Sequence, residues 1–459
     1  MKRFRLLLAA GLLALLTGCF SQSVDDLYAP PRAPDDYLKL DNKINEVLNA
    51  GGEYAAPLSG ELTQKVQLQD LDGDGVQEAI AFFRVSADER PLKIYIYHQV
   101  EDDYEVAAII EGSGNAIDSV SYENLDDSPS KEIIVDWETV AQRHLLAAYS
   151  IDRYEALELM HTDHSGFQIY DIDADGQKEL LVLRMADPSE SSTAAPTSSE
   201  PANRVELYNF QDGMLELSSS APLSRDVSGA SDMACGYLQD MVPALFVTST
   251  YAENGQITDI FAWKHEQLEN VTLDPETGES TGTVRWSTEV NSTGVSCTDI
   301  NGDGILELPS AYALPDPNNV GTAPNFWAIR WQQHDIDGGA HRVYTTYHNS
   351  RDGWYFILPD AWEGKLTLSR SDLAGGGERA VIFSYWEGDP NVEPEPFLVI
   401  YMLTGDNRSM RASMPGRFRL LSTEGDADTI YAARLIDGGW NCGLDEEGVK
   451  ANFALIPSE

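Results

Sequence analysis

The sequence predicts a mainly β protein: a β-propeller-like array of about five to seven four-stranded repeats, followed by a small C-terminal α+β or β-rich accessory domain. Three observations lead there. Short runs of β-branched and aromatic residues recur along the chain, separated by turn residues. An acidic nonapeptide of the form D-x-(D/N)-x-D-G-x-x-E occurs at Asp70–Glu78, Asp171–Glu179 and Asp299–Glu307. Each copy falls between two strand-like runs, so the motif marks a repeating place in the architecture.

The N-terminal end comes first. Lys2, Arg3 and Arg5 precede an apolar run from Leu6 to Leu16, too short to cross a bilayer and suited to a secretory signal. Leu16-Thr17-Gly18-Cys19 resembles the lipobox of bacterial lipoproteins. That resemblance implies a signal peptide over residues 1–18, a lipid on Cys19, and an extracytoplasmic protein anchored to a membrane on its cell-surface or periplasmic side. Residues 19–36, including Ala29-Pro-Pro-Arg-Ala-Pro34, read as a stiff tether. Leu40 to Leu48 has the spacing of one short helix, with Ile44, Val47 and Leu48 on one side.

The repeats occupy residues 37–344. Glu78–Val85, Leu92–Tyr97, Tyr104–Ile110 and Ile117–Tyr122 are strand-like, and then Asn124–Glu132 aligns with the first acidic loop. There Ser128 and Pro129 replace the third ligand and the turn glycine, so the ion-binding capacity of this copy is in question. The cycle recurs through the loop at Asp171, a loop-like segment at Gly236 to Pro243, and the loop at Asp299. Loop starts are spaced by about 47 to 64 residues, a length of about four strands. Asp187 to Asn203, rich in Ser, Thr, Ala and Pro, reads as a disordered insertion between two strands.

From about residue 345 the acidic loops cease. Residues 345–459 are expected to form the accessory domain or, alternatively, further degenerate blades. The opening Phe356-Ile-Leu-Pro-Asp-Ala-Trp-Glu-Gly364 is loosely similar to a C-terminal module of lipoproteins from clostridia-like bacteria, a likeness that brings no activity.

The acidic loops fit a hard cation. Ca2+ takes six to eight oxygens at about 2.3–2.6 Å from a few consecutive residues, whereas Mg2+ demands near-octahedral geometry and dehydrates reluctantly. An EF-hand needs a bidentate acid at its twelfth position; Ala81, Val182 and Ser310 stand there instead, between strand-like flanks. The pattern resembles the FG-GAP or VCBS repeat, the calcium-loop blade of integrin-α-type propellers, over residues 50 to 340. The resemblance implies Ca2+ ligation by Asp70, Asp72, Asp74, the Val76 carbonyl and Glu78. In the second loop it implies Asp171, Asp173, Asp175, the Gln177 carbonyl and Glu179, and in the third Asp299, Asn301, Asp303, the Ile305 carbonyl and Glu307. Asn301 removes one charge, so the third loop is expected to bind more weakly. Gly75, Gly176 and Gly304 sit where positive φ is needed.

The 459-residue chain carries a formal net charge of -44, which excludes nucleic acid as a partner because phosphates would be repelled. No P-loop, His-Glu-x-x-His or Cys-x-x-Cys motif occurs. His161 and His164 flank Asp163 as a metal pair or an exposed turn; Asp335–Gly339 reads as a turn. Trp327, Trp331, Trp354, Trp362 and Trp386 read as a sugar-stacking platform or as core. Cys235 and Cys297 are open to bridging or to burial as free thiols. The expected role is a monomeric binding or scaffold protein of the envelope, with a protein or glycan ligand. The alternatives are a carbohydrate-active or other enzyme on the same platform, or a purely structural component.

Overall fold

The computed structural model describes residues 35–456 except 102, 113, 140–142, 153–154, 187–200, 254, 275–276, 279, 281–283, 287–294, 318–324, 374–376 and 422–427. The expected signal sequence, Cys19, the expected tether before Asp35 and most of the Ser/Thr-rich insertion therefore lie outside the described residues. What is described is mainly β, arranged as six antiparallel sheets of four or five strands.

The first sheet runs Glu53–Tyr54, Glu78–Arg84, Leu92–Val100 and Asp103–Gly112, with Val66–Gln69 sharing an edge of Glu78–Arg84. The second orders Ala116–Glu123, Glu132–Glu138, His144–Asp152 and Glu155–His164; the third, Gly166–Tyr170, Glu179–Arg184, Arg204–Gln211 and Met214–Pro222. The fourth follows Val227–Leu238, Val242–Tyr251, Gly255–Lys264 and Gln267–Asn270, with Val284–Trp286 beside Gly255. The fifth runs from Leu308–Ala313 through Trp327–His334, Ala340–Asn349 and Trp354–Ile357 to Phe453–Leu455. The sixth holds Leu366–Leu373, Glu378–Tyr385, Glu395–Thr404, Thr429–Leu435 and Phe418–Arg419. Most successive strands pair with their chain neighbours, the economical result of short turns between β-rich runs.

Burial follows position in each meander. Inner strands such as Glu78–Arg84 and Glu132–Glu138 are buried on both faces, while Asp103–Gly112 and Glu155–His164 have strongly exposed outer halves. An inner strand covered on both sides needs a continuous apolar run, as Ala79-Ile-Ala-Phe-Phe83 supplies.

The described chain forms two compact units. In the unit that ends its first segment at Val120, helix Asp35–Asn49 lays Leu40 and Ile44 onto Ala79, Ala81, Phe83 and Tyr97. In the unit that resumes at Glu158, five clusters form the core among the described residues, the largest centred on aromatic residues from Phe326 to Phe453.

Two expectations change. The boundary expected between residues 344 and 345 falls inside the strand Ala340–Asn349. One cluster joins Leu314, Phe326 and Ala328 to Phe383, Phe397 and Phe453, so both sides of that point share a sheet and a core. The compositional shift there marks the end of the acidic loops, whereas the meander pattern continues. The loop-like segment expected at Gly236 to Pro243 is instead the end of a strand, a single 3-10 turn at Gln239–Met241, and the start of the next strand.

Trp331, Trp354, Trp362 and Trp386 are buried. Trp331 Nε1 donates to Thr346 Oγ1, Trp362 Nε1 to the Cys442 carbonyl, and Trp386 Nε1 to the carbonyls of Asp389 and Val392. They are core and anchoring residues, and no sugar platform is built from them. Cys235, Cys297 and Cys442 are free thiols, and burial pushes the first two up to about 12.

Candidate metal centre

Each acidic loop is the tip of a hairpin. The residue before it pairs with its closing glutamate: Gln69 with Glu78, Tyr170 with Glu179, and Thr298 with Glu307. The closing glutamate is thus drawn into a strand or, at Glu307, a single bridge and is buried, while the residues ahead of it, apart from Leu71 and Ile172, lie nearer solvent. Its Oε2 accepts the N–H of the loop's second residue in every copy, from Leu71 at 2.8 Å, Ile172 at 2.9 Å and Ile300 at 2.9 Å. In the first two copies this leaves the other carboxylate oxygen for the loop, whereas in the third Gln333 donates to it.

The first aspartate organises the turn. Asp70 accepts N–H bonds from Gly73 and Gly75, Asp171 from Gly176, and Asp299 from Gly302, Asp303 and Gly304. At the fifth position, Asp74, Asp175 and Asp303 accept the N–H of Val76, Gln177 and Ile305. These bonds explain the spacing: carboxylates two residues apart each cap the amide two residues on, and the chain coils around their free oxygens. Gly75, Gly176 and Gly304 have φ of 89°, 98° and 87°. A second left-handed position, the fourth, was not anticipated; Gly73, Ala174 and Gly302 occupy it at 75°, 61° and 77°.

The loops differ in how many acids converge. In the second, single oxygens of Asp171, Asp173, Asp175 and Glu179 lie within 4.8 Å of one another. In the first, Asp70, Asp72 and Glu78 do so, and Asp74 does not join them; in the third, Asp299, Asp303 and Glu307 do. All three clusters could hold a metal ion. In the second, Asp171 Oδ1 is buried without a hydrogen-bond partner. An all-oxygen, carboxylate-rich donor set of this kind fits a hard divalent cation.

Electrostatics agree with that fit. Burial pushes the Glu179 carboxyl up to about 8, with Asp173, Asp175 and Asp171 adding repulsion. Glu78 and Glu307 are raised by burial too, as is Asp173. Asp303 departs from the trend. Although desolvation acts on it, N–H bonds from Ile305, Asn301 and Gln333 hold it below the usual range.

Gln333 was not visible in the loop sequence. Its Nε2 donates to Asp303 Oδ2 and Glu307 Oε1, both at 2.8 Å, and Asn301 Nδ2 also donates to Asp303 Oδ2 at 2.8 Å. The third loop therefore has amide protons where the second has bare oxygen. In the degenerate copy the first residue reverses role. Asn124 Nδ2 donates to the carbonyls of Ser128 and Ser130, and Glu132 still accepts from Leu125 at 2.8 Å. Side chains also tie this copy to the second loop: Gln177 Nε2 donates to Asp127 Oδ1 at 3.0 Å and Lys178 Nζ to Glu123 Oε2 at 2.7 Å.

His161 and His164 are not a pair. His161 is exposed beside Glu158, whereas His164 is buried against Asp136. Asp335 accepts from the N–H groups of Asp337 and Gly339 in the expected turn.

No family model and no curated protein matches this chain. Among solved structures, it is similar to Sqt1 of Saccharomyces cerevisiae, with 8% identity, coverage of 84% of this chain and 99% of that one, and a TM-score of 0.30. It is similar to a rhamnogalacturonan lyase of Bacillus licheniformis at 9% identity, 73% and 90% coverage and a TM-score of 0.30. A protein from Lactobacillus plantarum follows at 10%, 71% and 77%, and 0.23. Likenesses this low carry no argument about function.

Proposed function

We propose that this chain is a lipid-anchored, extracytoplasmic scaffold whose repeated hairpins are clamped by Ca2+ and whose function is to bind a protein or glycan at the cell envelope. The observation carrying the calcium reading is the second loop, where four carboxylates converge on a buried, unpartnered Asp171 oxygen. A cation there offsets the mutual repulsion that otherwise keeps Glu179 protonated.

The ligands would be Asp70, Asp72, Asp74 and Glu78, then Asp171, Asp173, Asp175 and Glu179, then Asp299, Asn301, Asp303 and Glu307, with the carbonyls of Val76, Gln177 and Ile305. Four-stranded meanders with a hairpin loop in a recurring place support a propeller of the FG-GAP type. The signal-like N-terminal run and Cys19 support export and anchoring.

The test has two arms. Thermal unfolding of the protein in EDTA and in excess Ca2+ should show a lower Tm in EDTA that Ca2+ restores; an unchanged Tm sinks the calcium reading. Immobilised, Ca2+-loaded protein should then retain an envelope protein or a glycan from an array, and release it when the loops are stripped.

A further inference from the structure

A second kind of side-chain cluster, of two imidazoles and a carboxylate, lies in the second sheet, built from three strands and outside every acidic loop. We propose that Asp136, His144 and His164 bind a borderline divalent transition cation, with Zn2+ as its best-fitting member.

The sheet dictates the convergence. Glu138 faces His144 across two neighbouring strands, so Asp136, two residues back from Glu138, lies on the same face and diagonal to His144. His164 arrives from the strand Glu155–His164 on the far side of His144–Asp152. Asp136 Oδ1 is 3.1 Å from His164 Nε2, and its two oxygens are 3.1 and 3.0 Å from His144 Nδ1. All three ligand atoms lie within 4.8 Å of one another. Four-coordinate Zn2+ with bonds of about 2.0–2.1 Å sets its ligand atoms roughly 3.3 Å apart, so the two Asp136–histidine pairs need to open by only a few tenths of an ångström.

The chemistry selects the ion class. Two imidazole nitrogens and one carboxylate oxygen suit Zn2+ and its transition-metal neighbours, whereas Ca2+ prefers oxygen alone. The side chains of Asp136 and His164 are 6% and 4% exposed, while that of His144 is 35% exposed. Two ligands are therefore fixed in the protein and the third stands at the surface, where an ion can enter and keep a water as fourth ligand. His164 Nδ1 is buried with no partner, and the ring packs edge-on to Phe167. Its burial is thus left without ordinary hydrogen-bond compensation at one nitrogen, and the other nitrogen faces Asp136.

The competing account is an ion-free cluster in which two imidazoles share one carboxylate through protons. Zn2+ titration of the full-length protein in detergent, with Ca2+ in excess to fill the acidic loops, separates the two. One Zn2+ per chain should bind, and His144→Gln, a change at the exposed ligand, should weaken it by at least roughly a hundredfold without altering the Ca2+ response of the Tm. Histidine ring resonances of the wild-type protein give a second readout, independent of any variant's folding. Zn2+ should shift the signals of His144 and His164 and leave His348 in place. Absence of stoichiometric Zn2+ binding, binding unaffected by His144→Gln, or shifts confined to other histidines would overturn the proposal.

Discussion

Glu179 Oε2 accepts the N–H of Ile172 at 2.9 Å while its carboxyl is pushed up to about 8 by burial. Held by one backbone bond and crowded by three aspartates, this side chain stays protonated near neutrality unless a cation arrives. In metal-free protein the folded state keeps a proton that the unfolded chain gives up near pH 4.5. The stability that Glu179 contributes in EDTA should therefore be full below about pH 4.5 and be lost as pH rises through about 8, where Ca2+ ceases to be opposed by that proton. Urea unfolding across this window should show the gap between Ca2+ and EDTA curves widening with pH. Glu179→Gln should flatten the EDTA curve, and parallel curves for the two proteins would contradict the account.

Gln333 sets the third loop apart. It satisfies Glu307 and Asp303 with two N–H bonds, so its amide takes part of the place of a cation. Gln333→Leu should cost the metal-free protein about 1–3 kcal/mol by leaving a buried carboxylate oxygen without a donor. The loss should shrink in saturating Ca2+. Denaturant titrations with and without the ion measure both figures.

Much of this was legible in sequence. Val, Ile, Phe and Tyr runs give the strands, and the D-x-D-x-D-G-x-x-E spacing gives the loops, because both are local patterns. Gln333 was not, since it reaches Glu307 from a strand 26 residues away. His164 was misplaced for the same reason: its partner Asp136 is 28 residues distant, while His161 is merely near in sequence. Composition changes near residue 345 while the strand Ala340–Asn349 continues, so a shift in residue usage does not coincide there with the end of a secondary-structure element.

The two left-handed positions of each loop should respond differently to a side chain. Gly73 has φ of 75°, close to the 61° that Ala174 adopts in the equivalent place, so Gly73→Ala should cost about 1 kcal/mol or less. Gly176 has φ of 98°, beyond the range open to alanine, and Gly176→Ala should cost more. Midpoints of urea unfolding in EDTA give the comparison; equal costs would mean that the loop rearranges.

His348 predicts sensitivity to acid. Both its ring nitrogens are buried without partners, the ring stacks on Tyr355 at 5.0 Å, and desolvation lowers its pKa to about 4. A folded pKa below the unfolded 6.5 contributes stability that is present above pH 6.5 and is lost as pH falls toward about 4. His348→Phe keeps the stacking and removes the unpaired nitrogens. It should raise stability by about 1 kcal/mol and move the acid-unfolding midpoint to lower pH, followed by near-UV circular dichroism.

Asn124 offers a way to emancipate the molecule from its medium. Its amide closes the hairpin by donating to the carbonyls of Ser128 and Ser130, and the Glu132–Leu125 bond survives intact. One turn of this chain is thus fastened by its own covalently supplied hydrogens, independent of what the surroundings contain. Transplanted into the other hairpins, the Asn-Leu-Asp-Asp-Ser-Pro-Ser-Lys-Glu sequence would be the natural starting material for a variant that endures chelators, with the recipe already written in the parent.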